Sequence, residues 1–182
     1  MTKRALIVVD LQNEYEAGGK LPLENLNQAV VNAKRVIASA RGAGDTVVHF
    51  RHETPDSNDA PFAIGTNGTR IIEAVVPIDG ETVMTKHYPN SFRDTGLKAL
   101  LDEAGVENVV IVGAMSHMCI DATARAAFDF GYGVTVVGDA CATMALSHAG
   151  VDVPASQVHA AFMAALAFAY GSVVSTADLL PA

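Results

Sequence analysis

Ala5-Leu6-Ile7-Val8-Val9-Asp10-Leu11-Gln12-Asn13 is the stretch that decides the fold. Five consecutive apolar residues with no polar alternation predict a strand buried on both faces, as in a parallel sheet covered by helices. Comparable runs occur at residues 46–50, 82–84, 109–112, 134–137 and 172–174. Between several of them the apolar residues change to helical spacing. Leu26, Ala29, Val30, Ala33, Val36, Ile37 and Ala40 recur every three or four positions, with Gly42 as the expected stop. Leu97, Leu100, Leu101 and Ala104 repeat the pattern, as do Ile120, Ala124, Ala127 and Phe128 before Gly131. Val158, Ala161, Phe162, Ala165, Leu166 and Ala169 do so after Pro154, a residue suited to a first helical turn. Strand and helix in alternation predict an α/β fold: a single-domain, three-layer α/β/α arrangement around a doubly wound, mostly parallel six-stranded sheet.

The 182 residues suit one domain spanning 1–182, long enough to bury roughly 70% of the unfolded chain's surface. With 12 Lys and Arg against 20 Asp and Glu, the formal charge of −8 disfavours a nucleic-acid partner, which would demand cations for phosphates. Two cysteines cannot make a disulfide scaffold, and thiols of this kind stay reduced in a cytosol. The apolar run before Asp10 is too short for a signal peptide or a bilayer span, so the expectation is a cytoplasmic protein with no membrane partner. Residues 53–68 break the rhythm. Their Pro55-Asp56-Ser57-Asn58-Asp59-Ala60-Pro61 is turn chemistry, and a loop this long is expected to be either a lid over a site or a solvated excursion.

Ligands of open α/β sheets bind beyond the carboxyl ends of the strands. Three reactive residues fall there. Asp10 ends the first run, Lys86 follows the third after Thr85, and Cys119 lies beyond the fourth at the expected start of a helix. A switch point between the first and fourth strands would gather them in one crevice. Singly, each has an alternative: a turn-forming carboxylate, a solvated lysine, a packed thiol. Together they make a nucleophile, a base and an orienting cation. A thiol of ordinary pKa, roughly 8.5, is mostly protonated at neutral pH. Helix amides and the Lys86 ammonium are expected to favour the thiolate, with Asp10 taking and holding the proton.

At these residues the chain resembles the isochorismatase-like cysteine hydrolases, the superfamily of nicotinamidases and N-carbamoylsarcosine amidases, over nearly its whole length. The pieces that carry the resemblance are Ala5-Leu-Ile-Val-Val-Asp10-Leu-Gln-Asn13, Thr85-Lys86-His-Tyr-Pro-Asn-Ser-Phe92, Val112-Gly113-Ala-Met-Ser-His-Met-Cys119-Ile-Asp121 and Val137-Gly-Asp-Ala-Cys-Ala142. The resemblance implies a catalytic Asp10, Lys86 and Cys119, a cis peptide between Ala114 and Met115, and an oxyanion hole from the amides of Met115 and Cys119. It also implies hydrolysis of a C–N bond in a small amide through a thioester, and a homo-oligomer. Two alternatives stay open: a vinyl-ether hydrolase of the isochorismatase type, and a binding protein without turnover.

The chain departs from the nicotinamidase pattern, which carries a metal site of Asp and His ligands after the second strand. Here that region holds His49, Arg51 and His52, and a guanidinium among the ligands opposes a divalent cation, so no metal is expected. His49 is expected in the core, whereas Arg51 and His52 approach the substrate or pair with Glu53. Neither G-x-G-x-x-G nor a P-loop occurs, so no nucleotide cofactor is expected. Gln12, Arg51, Phe62, Tyr88 and Met118 are the candidate substrate-binding residues, with local capping for Gln12 and core packing for the last three as alternatives. Cys141 is expected to be a packed structural thiol, and His117 either tunes Cys119 or is solvated.

Overall fold

The computed structural model describes residues 3–55 and 59–180. Five strands and three helices make up most of it: β1 (Arg4–Val9), α1 (Leu26–Ala43), β2 (Thr46–His52), β3 (Thr82–Lys86), α2 (Leu97–Glu103), β4 (Asn108–Ala114), α3 (Asp121–Asp129) and β5 (Gly133–Ala142) precede a short hairpin, β6 (Leu146–His148) with β7 (Val151–Val153). The chain closes with α4 (Ala155–Ala169), β8 (Ser172–Val174) and α5 (Thr176–Leu179). The main sheet has six strands in the order β3-β2-β1-β4-β5-β8. Every pairing in it is parallel, including β1 with β4 at the switch point.

The apolar run of β1 has two destinations, because successive side chains point to opposite faces of a sheet. Ala5, Ile7 and Val9 join a core with Leu97 and Leu101 of α2, Ile120, Ala124 and Ala127, and Met163 and Leu166 of α4. Leu6 and Val8 join the other core with Leu26, Ala29, Val30, Ala33, Val36, Ile37 and Ala40 of α1. Burying a side chain the size of Leu6 or Ile7 stabilises by about 1.5–3 kcal/mol each, which explains why one central strand organises both layers.

Two details differ from the sequence expectation. Helix α1 runs through Gly42 and stops at Gly44, which takes a left-handed conformation (φ 73°) while its N–H reaches the Ala40 and Arg41 carbonyls. The C-terminal cap requires positive φ, and Gly44, not Gly42, is placed to supply it. The hairpin β6–β7 has too few apolar residues to show a period; it is held by the pairing Leu146↔Val153 to His148↔Val151. Residues 56–58 of the expected lid lie outside the described residues. The flanks of that loop are closed by the Thr54 N–H and hydroxyl, which donate to the Phe62 and Pro61 carbonyls at 2.8 Å each. Among the described residues no helix is long and apolar enough to cross a membrane.

Candidate active site

The carboxyl ends of β1, β3 and β4 deliver the three reactive residues to one place. Asp10 directly follows β1 with φ 49°, a conformation that Asp tolerates better than most non-glycine residues. Its N–H donates to the Phe50 carbonyl of β2 at 3.2 Å, and its side chain is fully buried. Beside it β4 pairs with β1 in unbroken register, Gly113 opposite Val9, whereas its pairing with β5 shifts register between Ile111 and Gly113. Gly113 has φ 131°, and a Cβ there would overlap the Val9 carbonyl, so only glycine allows this approach. Lys86 is the last residue of β3. Cys119 sits in a single turn of π-helix, Ser116–Ile120, inserted between β4 and α3. That turn starts after a cis peptide bond between Ala114 and Met115.

Lys86 Nζ is the centre of the arrangement. It lies 2.7 Å from Asp10 Oδ2, donates to Cys119 Sγ at 3.2 Å and to the Tyr88 carbonyl at 3.0 Å, and faces His52 Nδ1 at 3.4 Å. Asp10, Lys86 and Cys119 are all buried, at 0%, 1% and 6% exposure. Burial by itself would lower the Lys86 pKa, but Asp10 and then Cys119 outweigh it and hold the ammonium above its ordinary value. One ligating atom each from Asp10, His52 and Cys119 falls within 4.8 Å of the others, a set that could hold a metal ion. The Lys86 ammonium stands within 3.4 Å of all three residues and already supplies the positive charge there.

The thiol differs from expectation. Burial first, and the Asp10 carboxylate second, push Cys119 up to about 12, with Lys86 opposing them. Desolvation and Asp10 together outweigh Lys86 at the sulfur, so the balance favours the thiol over a standing thiolate. Cys141 is also pushed up to about 12 by burial, and neither cysteine is in a disulfide.

The other candidates divide. Gln12 is buried with its amide committed to backbone: Nε2 donates to the His52 and Thr69 carbonyls at 3.0 Å each, and Oε1 accepts from the His52 N–H at 2.8 Å. It braces the main chain, which corrects its assignment as a substrate contact. Arg51 places Nε 2.8 Å from Glu53 Oε1, so its charge is engaged locally. Phe62 is buried and packs edge-on against Tyr15 and His52, each at 5.2 Å between ring centroids. Tyr88 is half-buried with the Arg93 guanidinium 3.5 Å over its ring, and Met118 is 41% exposed. His49 is buried with Nε2 3.0 Å from Glu81 Oε2, away from any would-be metal set. His117 turns toward Thr143 Oγ1 at 2.6 Å instead of toward the thiol.

Three features escape sequence reasoning. Tyr15 is buried near the site, and its phenol is raised well above the ordinary value by burial, then by Asp10, Cys119 and Glu14. An aromatic residue inside the polar run Asn13-Glu14-Tyr15-Glu16 was its only signal. Ser91 anchors the loop after β3 to α3: its N–H donates to Thr123 Oγ1 at 3.1 Å and its hydroxyl accepts from Thr123 at 2.9 Å. Ser116 Oγ lies 2.8 Å from His159 Nδ1, tying the nucleophile's turn to α4.

Comparisons with known proteins point to one family. The isochorismatase domain model matches residues 4–178. The isochorismatase family protein YddQ of Bacillus subtilis strain 168 is 46% identical over 176 residues, covering 97% of this chain and 98% of YddQ. The maleamate amidohydrolase of Pseudomonas putida KT2440 is 32% identical over 149 residues, covering 74% of this chain and 70% of that enzyme. The crystal structure of an isochorismatase from Pseudomonas putida KT2440 superposes with a TM-score of 0.91 at 35% identity, covering 97% of this chain and 90% of the other.

Proposed function

The chain belongs to the isochorismatase family of hydrolases, and from that footing we propose that it is a metal-independent cysteine hydrolase cleaving the C–N bond of a small amide through a thioester on Cys119. One observation carries the proposal: a buried ammonium, Lys86 Nζ, stands 2.7 Å from a carboxylate and 3.2 Å from a thiol. The similarity to a maleamate amidohydrolase supports amide chemistry in particular.

The steps follow from the resting protonation. Cys119 Sγ attacks the substrate carbonyl carbon as its proton passes to Asp10, so no free thiolate has to accumulate in the buried site. The carbonyl oxygen becomes an oxyanion held by the Met115 and Cys119 amides, and losing one such donor typically costs about 3–4 kcal/mol. Asp10 then gives the proton to the leaving nitrogen, the C–N bond breaks and the amine departs. Water attacks the thioester while Asp10 accepts its proton, and that proton returns to Sγ as the acid leaves. Lys86 remains protonated throughout, fixing the carboxylate's position and compensating its charge. The proposal includes a homo-oligomer: α4 turns Ala160, Ala161, Ala164, Ala165 and Phe168 outward, the last 92% exposed, and sedimentation of the purified chain measures its state.

Turnover of a panel of small amides by the parent and by Cys119→Ala tests the reaction. A fall of several orders of magnitude in kcat on every amide turned over is expected, whereas undiminished hydrolysis by Cys119→Ala would exclude covalent catalysis.

A further inference from the structure

The turn that carries Cys119 is held mainly from outside. Ser116–Ile120 is a single π-helical turn ahead of α3, with no side-chain cap at its start. Its own bonds are few: the Met118 and Ile120 N–H groups both donate to the Met115 carbonyl, at 3.0 and 3.2 Å. The first turn of a helix supports itself least, because its leading N–H groups lack intrahelical acceptors and the end frays. Two consecutive side chains supply the missing grip. Ser116 Oγ donates to the Ala142 carbonyl at 3.3 Å and meets His159 Nδ1 at 2.8 Å, while His117 Nδ1 lies 2.6 Å from Thr143 Oγ1. Both reach the end of β5, and His159 brings in α4.

Counting protons gives the Ser116 contact its direction. The hydroxyl carries one proton and the Ala142 carbonyl can only accept, so in the shorter contact the ring is the donor, Nδ1–H to Oγ. Burial lowers the His159 pKa and keeps the imidazole neutral. Ser116 is fully buried, so water does not stand in for a lost partner. His159 also borders a cavity of about 320 Å³ with Glu24, Gln28, Thr143 and Ser156, and neither Asp10, Lys86 nor Cys119 lines it. Any influence of the imidazole on the sulfur therefore passes through Ser116.

We propose that Ser116 and His159 are positioning residues: the α4 imidazole, acting through the buried hydroxyl, sets where the turn presents Cys119 Sγ and the Cys119 N–H to a carbonyl group. The inference rests on the hydrolase reading above, because it assigns those two atoms to attack and to the oxyanion. Both interactions strengthen only as the tetrahedral intermediate forms, so loss of the brace lowers kcat and leaves KM in place. Misplacing a reacting group by about 1 Å costs about a hundredfold.

Leu and Asn are nearly equal in size, but only Asn offers a donor near the place of Nδ1, so the two variants at position 159 separate the hydrogen bond from packing. Asn is also the poorer helix former, so helix stability cannot favour it. Rates are read on the amide of the panel above that the parent turns over fastest. His159→Leu should lower kcat by about tenfold or more with KM within about threefold of the parent's, and His159→Asn should restore kcat to within about threefold. Ser116→Ala should be as slow as His159→Leu, and the double variant no slower than either alone, because the two residues act as one unit. Parent-like kcat in His159→Leu or Ser116→Ala, an Asn variant as slow as the Leu variant, a loss confined to KM, or losses that multiply in the double variant each overturn the inference. Where circular dichroism finds His159→Leu unfolded, Ser116→Ala, which deletes a single buried oxygen, decides alone. Failure of the underlying reading looks different: Cys119→Ala would turn the same amide over as fast as the parent does.

Discussion

Replacing Lys86 by Met removes the charge at the centre of the site while keeping a side chain of similar length. In the parent, Nζ lies 2.7 Å from Asp10 Oδ2. At an effective dielectric of about 20, that separation corresponds to an attraction of about 6 kcal/mol. Without it, a buried carboxylate has no counter-charge, and the site relieves the imbalance by binding a proton, which removes the base that must accept the thiol's. If between half and all of that attraction is lost at the transition state, kcat/KM falls by about 10² to 10⁴-fold. The assay pairs amide turnover with infrared spectroscopy of the carboxyl region. Lys86→Met should show the stretch of a protonated carboxyl group at neutral pH, and Lys86→Met combined with Asp10→Asn should lack it. The two substitutions should also combine far less than additively in rate, because they disable one unit. A folded Lys86→Met chain that keeps kcat/KM within fivefold of the parent would refute the reasoning.

Other consequences are as specific. With Cys119 and Cys141 both pushed up to about 12, iodoacetamide labelling should be slow for both near pH 6 and should still be rising above pH 9; a plateau for Cys119 below pH 8 would mean a standing thiolate. Glu81 is 8% exposed, and although burial alone would raise its pKa, Arg41, the Ile78 N–H and His49 hold it at about 2 against an ordinary 4.5. A depressed carboxylate contributes stability above its unfolded value and loses it as pH falls through the folded one. Glu81→Gln should therefore cost about 3 kcal/mol at neutral pH, with the gap to the parent closing between about pH 4.5 and 2 in urea titrations; a gap independent of pH would contradict the linkage. Gly113→Ala should destabilise by well over 1 kcal/mol in the same titration, since the new Cβ overlaps the Val9 carbonyl at a positive φ; a change below 0.5 kcal/mol would show that β4 can shift away from β1.

Much of this architecture was legible because its signals are local and repetitive. An apolar run such as 5–9 reports a strand buried on two faces, and the three-and-four spacing of α1 reports a helix with one buried stripe. The convergence of Asp10, Lys86 and Cys119 followed from topology, because parallel strands with right-handed crossovers bring their carboxyl ends to one edge. What stayed hidden depends on three-dimensional balance. The resting charge of Cys119 turns on desolvation set against two opposite charges, which no spacing encodes. The Gln12 clamp joins residues 40 positions apart, and a glutamine that grips backbone looks no different in sequence from one that faces a ligand. Tyr15 and His52 acquire their place only through the loop that brings Phe62 against both rings.

The account stands or falls on covalent chemistry at one sulfur. Acid-quenching the parent chain during turnover of an amide, then mapping peptides by mass spectrometry, should find the acyl group attached to Cys119, and hydroxylamine in the reaction should divert it to the hydroxamate. Steady turnover with neither an acylated Cys119 nor any hydroxamate, in a chain whose Cys119→Ala form is equally active, would contradict it.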